Sequence, residues 1–104
     1  MQVVTERGSE SGEFRRWVEH FRIPALSVGT YRIAAGGTDD QRPHAEDEIY
    51  VVHAGRARLV AGDESVAVGP GSVVFVPAGE VHRFVDVTEE LAVLVVFVPA
   101  ENGG

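Results

Sequence analysis

From Leu26 onward, short runs of β-branched and aromatic residues recur between clusters of Gly, Pro, Asp and Thr. That is the pattern of strands separated by tight turns. LSVGTYRI (26–33) is the first run and stops at Gly36-Gly37. EIYVVHA, RARLVA, ESVAV, SVVFV, HRFVDV and LAVLVVFV follow, divided by Ala61-Gly62-Asp63, Gly69-Pro70-Gly71, Pro77-Ala78-Gly79 and Thr88-Glu89-Glu90. EIYVVHA and LAVLVVFV are apolar on both faces and belong at the centre of a sheet, and Gly62-Asp63 predicts a hairpin. Closely spaced short strands of this kind form a sandwich or a barrel. Before them, Phe14, Trp17, Val18 and Phe21 lie at helical spacing behind Ser11 as a cap and Glu13 in the first turn, with Pro24 as a stop. This predicts a short N-terminal helix whose apolar stripe covers one end or face of the domain.

At 104 residues the chain holds one modest core. The expected organisation is an N-terminal extension over 1–24, a β-domain over 25–100 and a disordered tail over 101–104. There is no cysteine, which excludes disulfides, zinc–thiolate sites and cysteine nucleophiles. All nine basic residues are arginine, so Schiff-base chemistry and a phosphate-loop lysine are excluded as well. A net charge of −7 disfavours nucleic acid and anionic membranes as partners. With no apolar run of membrane-spanning length, a cytoplasmic protein is expected.

Two groups of residues carry the candidate chemistry. In the first, Gly36, Arg42, His44, Glu48 and Gly55 lie within GGTDDQRPHAEDEIYVVHAG; in the second, Gly71, Pro77, Gly79, His82 and Asp86 lie within GSVVFVPAGEVHRFVD. Side chains alternate across a strand, so Arg42, His44 and Glu48 share a face if the pairing is regular. His82 joins them if its strand is a neighbour. Two imidazoles and a carboxylate make a facial set suited to Fe(II), and also to Mn, Zn or Ni.

The spacing resembles that of the cupin family, small jelly-roll barrels. Its first motif is G-x5-H-x-H-x3-4-E-x6-G and its second G-x5-P-x-G-x2-H-x3-N. Here Arg42 stands at the first histidine and Asp86 at the asparagine. The resemblance covers roughly Leu26 to Pro99. It implies an all-β double-stranded β-helix, with His44, Glu48 and His82 as metal ligands and Gln41 as a possible fourth. It also implies an oxygenase or isomerase acting on a small organic acid, a small-molecule ligand, and a homodimer formed by sheet packing or strand exchange.

Arg42 leaves three arrangements open. It pairs inward with Glu48 in a metal-free site, it clamps a substrate carboxylate beside a bound metal, or it turns to solvent next to Pro43 and leaves Gln41 or water to complete the set. His44 and His82 are otherwise hydrogen-bonded pocket residues without a ligand role. Tyr50 shares the Glu48 face, either as an acid or packed in the core, and Phe84 forms an apolar wall with His82. His53 has the opposite parity, His20 reads as a surface residue, and Glu46-Asp47 reads as a solvated turn. Asp86 either orients a neighbouring ligand or accepts a hydrogen bond at the strand end. Three functions therefore remain: a metal-dependent enzyme, a small-molecule-binding or sensor barrel without metal, and a structural dimer with a vestigial pocket.

Overall fold

A computed structural model describes residues 1–4 and 16–102. It contains six strands: β1 (Trp17–Ile23), β2 (Leu26–Ile33), β3 (Asp47–Ala61), β4 (Glu64–Val68), β5 (Val73–Val76) and β6 (His82–Val98). All pair antiparallel in the order β1-β2-β6-β3-β4, and β5 adds to the other half of β3. No helix among the described residues is long and apolar enough to cross a membrane.

The central pair is longer than the turn signals predict. EIYVVHA and RARLVA form one strand, as do HRFVDV and LAVLVVFV, so Thr88-Glu89-Glu90 is not a turn. The two long strands bend together, with register shifts between Val52 and Arg58 that separate one half of the pairing from the other. Gly55 stands inside this bend at φ 88°, and an added Cβ would come within 2.2 Å of the Glu90 carbonyl oxygen. Only glycine permits that approach. The predicted hairpin forms as β3–β4, with Ala61 opposite Glu64.

The alternating inward positions make one core. Tyr31, Ile33, Tyr50, Val52, Leu59, Phe84, Leu91, Val93, Val95 and Phe97 are buried in a continuous cluster. EIYVVHA and LAVLVVFV are central, as their two-sided apolar character requires.

The N-terminal helix is replaced by a strand where it can be seen. Trp17–Ile23 is β1, paired along β2 with a bulge between Glu19 and Phe21. Ser11, Glu13 and Phe14 lie outside the described residues. The strand wins because β2 offers an open edge and because Gly29 leaves room for the Trp17 indole: a Cβ at Gly29 would lie 2.3 Å from that ring. Trp17 also meets Phe97 edge-on at 5.9 Å. Tertiary packing overrides an ambiguous local period here.

The expected disordered tail is also docked as far as Asn102. Ala100 N–H donates to the Pro24 carbonyl at 3.3 Å, Glu101 N–H to Ser27 Oγ at 2.9 Å, and Asn102 N–H to Glu46 Oε2 at 3.3 Å. Glu46 is buried, not part of a solvated turn, and Asp47 Oδ1 accepts from Ala78 N–H at 2.8 Å.

Candidate functional site

The two sequence motifs meet at one end of the barrel. The turn after β5 is tied to the loop before β3 by Gly79 N–H donating to the His44 carbonyl at 2.8 Å. Alternation along β3 sends Glu48 and Tyr50 inward, and β6 begins with His82 and Phe84 inward. Glu48, Tyr50, His82 and Phe84 are all buried, and the Tyr50 ring packs against Phe84 at 5.2 Å.

Hydrogen bonds fix the state of His82. Its Nδ1 lies 2.8 Å from the Glu80 carbonyl, an acceptor only, so Nδ1 carries the proton and Nε2 is the acceptor. The Tyr50 hydroxyl donates to that Nε2 at 2.7 Å. Burial, reinforced by the charge of Glu48, raises the Tyr50 pKa far above its ordinary value, so the hydroxyl remains a donor. Glu48 Oε1 lies 3.8 Å from His82 Nε2, and Glu48 Oε2 is buried without a hydrogen-bond partner.

Burial drives the Glu48 pKa above its ordinary value of 4.5, opposed by the Tyr50 hydroxyl and the imidazoles of His44 and His82. The folded protein thus keeps this proton to higher pH than the unfolded chain does. The resulting contribution is fully present below the unfolded value and is lost as pH rises through the folded one. Glu48→Gln, which holds no charge, should gain stability relative to the parent as pH rises above about 4.5. Urea midpoints across that range measure the difference; parallel curves would contradict it.

His44 does not join Glu48 and His82. Its Nδ1 pairs with Glu101 Oε2 at 3.0 Å, and its ring packs T-shaped on Phe97 with centroids 4.9 Å apart. Arg42 is exposed and does not pair with Glu48. The reason is local: residues 34–46 form a loop rather than a strand, so strict alternation does not carry back to Arg42. Beside Pro43 it turns outward, and Gln41 faces the interior, with its Oε1 3.4 Å from the Tyr50 hydroxyl. His20 bonds Thr30 Oγ1 through Nε2 at 2.7 Å. Asp86 is exposed, at φ 51°.

The metal expectation is tested by these donors, and they do not fit a three-ligand centre. The His82 acceptor is taken by Tyr50 and His44 is committed to Glu101. Among the described residues no three His, Asp or Glu side chains gather closely enough to hold an ion.

Above this polar array opens a cavity of about 160 Å³, lined by Trp17, Tyr31, Gln41, His44, Val95, Phe97 and Glu101. Its shape depends on a residue that the motifs do not mark. Asp39 is buried and accepts from the Tyr31 hydroxyl at 2.7 Å, Gln41 N–H at 3.1 Å, Gln41 Nε2 at 3.0 Å and Phe84 N–H at 2.8 Å. The bond to Gln41 N–H is an Asx turn, which Asp-x-Gln spacing permits. The bond to Phe84 spans 45 positions and has no local signature.

Comparison with known proteins agrees with this architecture. The cupin domain family matches residues 29–98, and the chain belongs to that family. A relative from Streptomyces coelicolor, described as uncharacterized, is 45% identical over 101 residues, covering 97% of this chain and 93% of its own. A cupin 2 conserved barrel domain protein from Salinispora arenicola superposes with a TM-score of 0.75 at 21% identity, covering 93% of this chain and 90% of the other. KdgF from Halomonas sp. gives 0.72 at 20% identity, covering 80% and 78%.

Proposed function

We propose that this protein is a small-ligand-binding cupin whose ligand seats in the mouth cavity without a metal ion. The observation that carries the reading is the cavity itself: Trp17, Tyr31 and Phe97 give it aromatic walls, and Gln41, His44 and Glu101 supply polar groups at its lining. An apolar space with a few convergent polar groups is the usual form of a small-molecule site. Its volume of about 160 Å³ sets the scale of the guest. An apolar cavity of about 150 Å³ accepts a single benzene ring.

The donor geometry favours binding over metal chemistry, since the His82 acceptor is taken by Tyr50 and His44 is paired with Glu101 rather than gathered with Glu48. An organic acid held by Arg42 is not favoured either, because that guanidinium is exposed and outside the lining.

The test is a titration of benzyl alcohol into chelator-treated, nitrogen-15-labelled protein. Saturable shifts should concentrate at Trp17, Tyr31, His44, Val95 and Phe97. Trp17→Ala, which removes one aromatic wall, should weaken the affinity about tenfold, or about 1.4 kcal/mol. Shifts that never saturate, or that need added Fe, Mn or Zn, would overturn the proposal.

A further inference from the structure

The polar lining of the cavity is one-sided in its chemistry. Gln41 donates through Nε2 to Asp39 Oδ2 at 3.0 Å, which leaves its carbonyl oxygen directed toward Tyr50 and the cavity side. Glu101 contributes a carboxylate. His44 directs Nδ1 to Glu101 Oε2 at 3.0 Å. Tyr31 lines the cavity with its ring, but its hydroxyl donates to Asp39 Oδ1. The Tyr31 hydroxyl, one Gln41 N–H and His44 Nδ1 are thus engaged within the protein, and the Glu101 carboxylate and Gln41 Oε1 are the acceptors of the lining. No arginine is among the lining residues, and the whole chain carries a net charge of −7. Trp17, Tyr31 and Phe97 complete the wall, and an aromatic ring attracts a cation placed over its face.

From this juxtaposition we infer that the mouth cavity selects a small organic cation, an ammonium group carried on an apolar body about the size of one ring, with Glu101 as the specificity-determining residue. The inference rests on the reading that this cavity is a ligand site, and it reverses the charge expected of a substrate clamped by Arg42. An ammonium supplies further donors to the Glu101 carboxylate and Gln41 Oε1, and its apolar body replaces water against Trp17, Val95 and Phe97. A carboxylate there would face the Glu101 carboxylate with no arginine in the lining to offset it, an arrangement disfavoured by charge.

Three probes of matched shape test this on the full chain at low salt: benzylammonium, benzyl alcohol and benzoate, each titrated by nuclear magnetic resonance. The expected order is benzylammonium about tenfold tighter than benzyl alcohol, with benzoate weaker than both. That ratio suits a partly exposed ion pair supplemented by ring–cation attraction. In Glu101→Gln the ratio of benzylammonium to benzyl alcohol affinity should fall to about one. Benzyl alcohol binding as tightly as benzylammonium, or benzoate binding more tightly, would overturn the charge assignment while leaving the ligand site standing. Failure of all three probes to bind would overturn both. A ratio unchanged in Glu101→Gln would remove Glu101 from the selecting role.

Discussion

Replacing Asp39 with alanine is expected to destabilise the folded barrel by about 4 kcal/mol, as read from urea denaturation. The carboxylate is buried and receives four hydrogen bonds, from the Tyr31 hydroxyl, Gln41 N–H, Gln41 Nε2 and Phe84 N–H. Alanine would strand at least the Phe84 amide and the Tyr31 hydroxyl in the interior. Each buried donor left without a partner costs about 1–3 kcal/mol, and bonds to a charged acceptor lie toward the upper end. Asp39→Asn preserves the size and part of the acceptor capacity but turns an amide NH2 toward groups that themselves donate, so about half the loss is expected. A loss under about 1 kcal/mol for Asp39→Ala would mean that the loop is held by something other than this carboxylate. The same variant should weaken ligand binding, because Gln41 and Tyr31 are both positioned by Asp39.

Gly55→Ala is expected to lower stability by about 3 kcal/mol or more, through two separable effects. The first is backbone strain at φ 88°. The second is collision, since the new Cβ would lie 2.2 Å from Glu90 O and 2.7 Å from Leu91 Cα. Both are backbone atoms of the paired strand, so relief requires the β3–β6 bend to open. Gly62 separates the two effects. It also has positive φ, 58°, but a Cβ there meets nothing within 4 Å. Gly62→Ala should therefore cost only about 1 kcal/mol, the left-handed penalty alone. Equal losses at the two positions, measured by thermal or urea unfolding, would refute the close-approach explanation.

The strands and the central place of EIYVVHA and LAVLVVFV were legible because a period of two and two-sided apolar character follow from burial alone. The approach of Glu48 to His82 was legible too, since fixed spacings within two turn-bounded motifs place both side chains inward on paired strands. The remaining parts depended on contacts distant in sequence. WVEHFRI fits a helical stripe and a strand almost equally, and the choice fell to the open edge of β2 and the gap at Gly29, which no local pattern records. His44 read as a ligand from its place in the first motif, and Glu101 read as part of a loose tail; docking of that tail against Ser27 and Glu46 gives His44 its partner. Arg42 read as inward only if alternation extended into the loop, and Pro43 lies where it does not. Tyr50 was visible on the correct face, but its bond to His82, which uses the acceptor that a metal would need, follows from barrel closure and not from spacing.

The chain contains a single tryptophan, and Trp17 lines the cavity beside Phe97. Its fluorescence is therefore a direct reporter of the central claim, that this cavity binds a small ligand without metal. Titrating benzylammonium into chelator-treated protein should change the Trp17 emission along a saturable, one-site curve. A linear drift without saturation, or a saturable response that appears only after a transition metal is added, would contradict it.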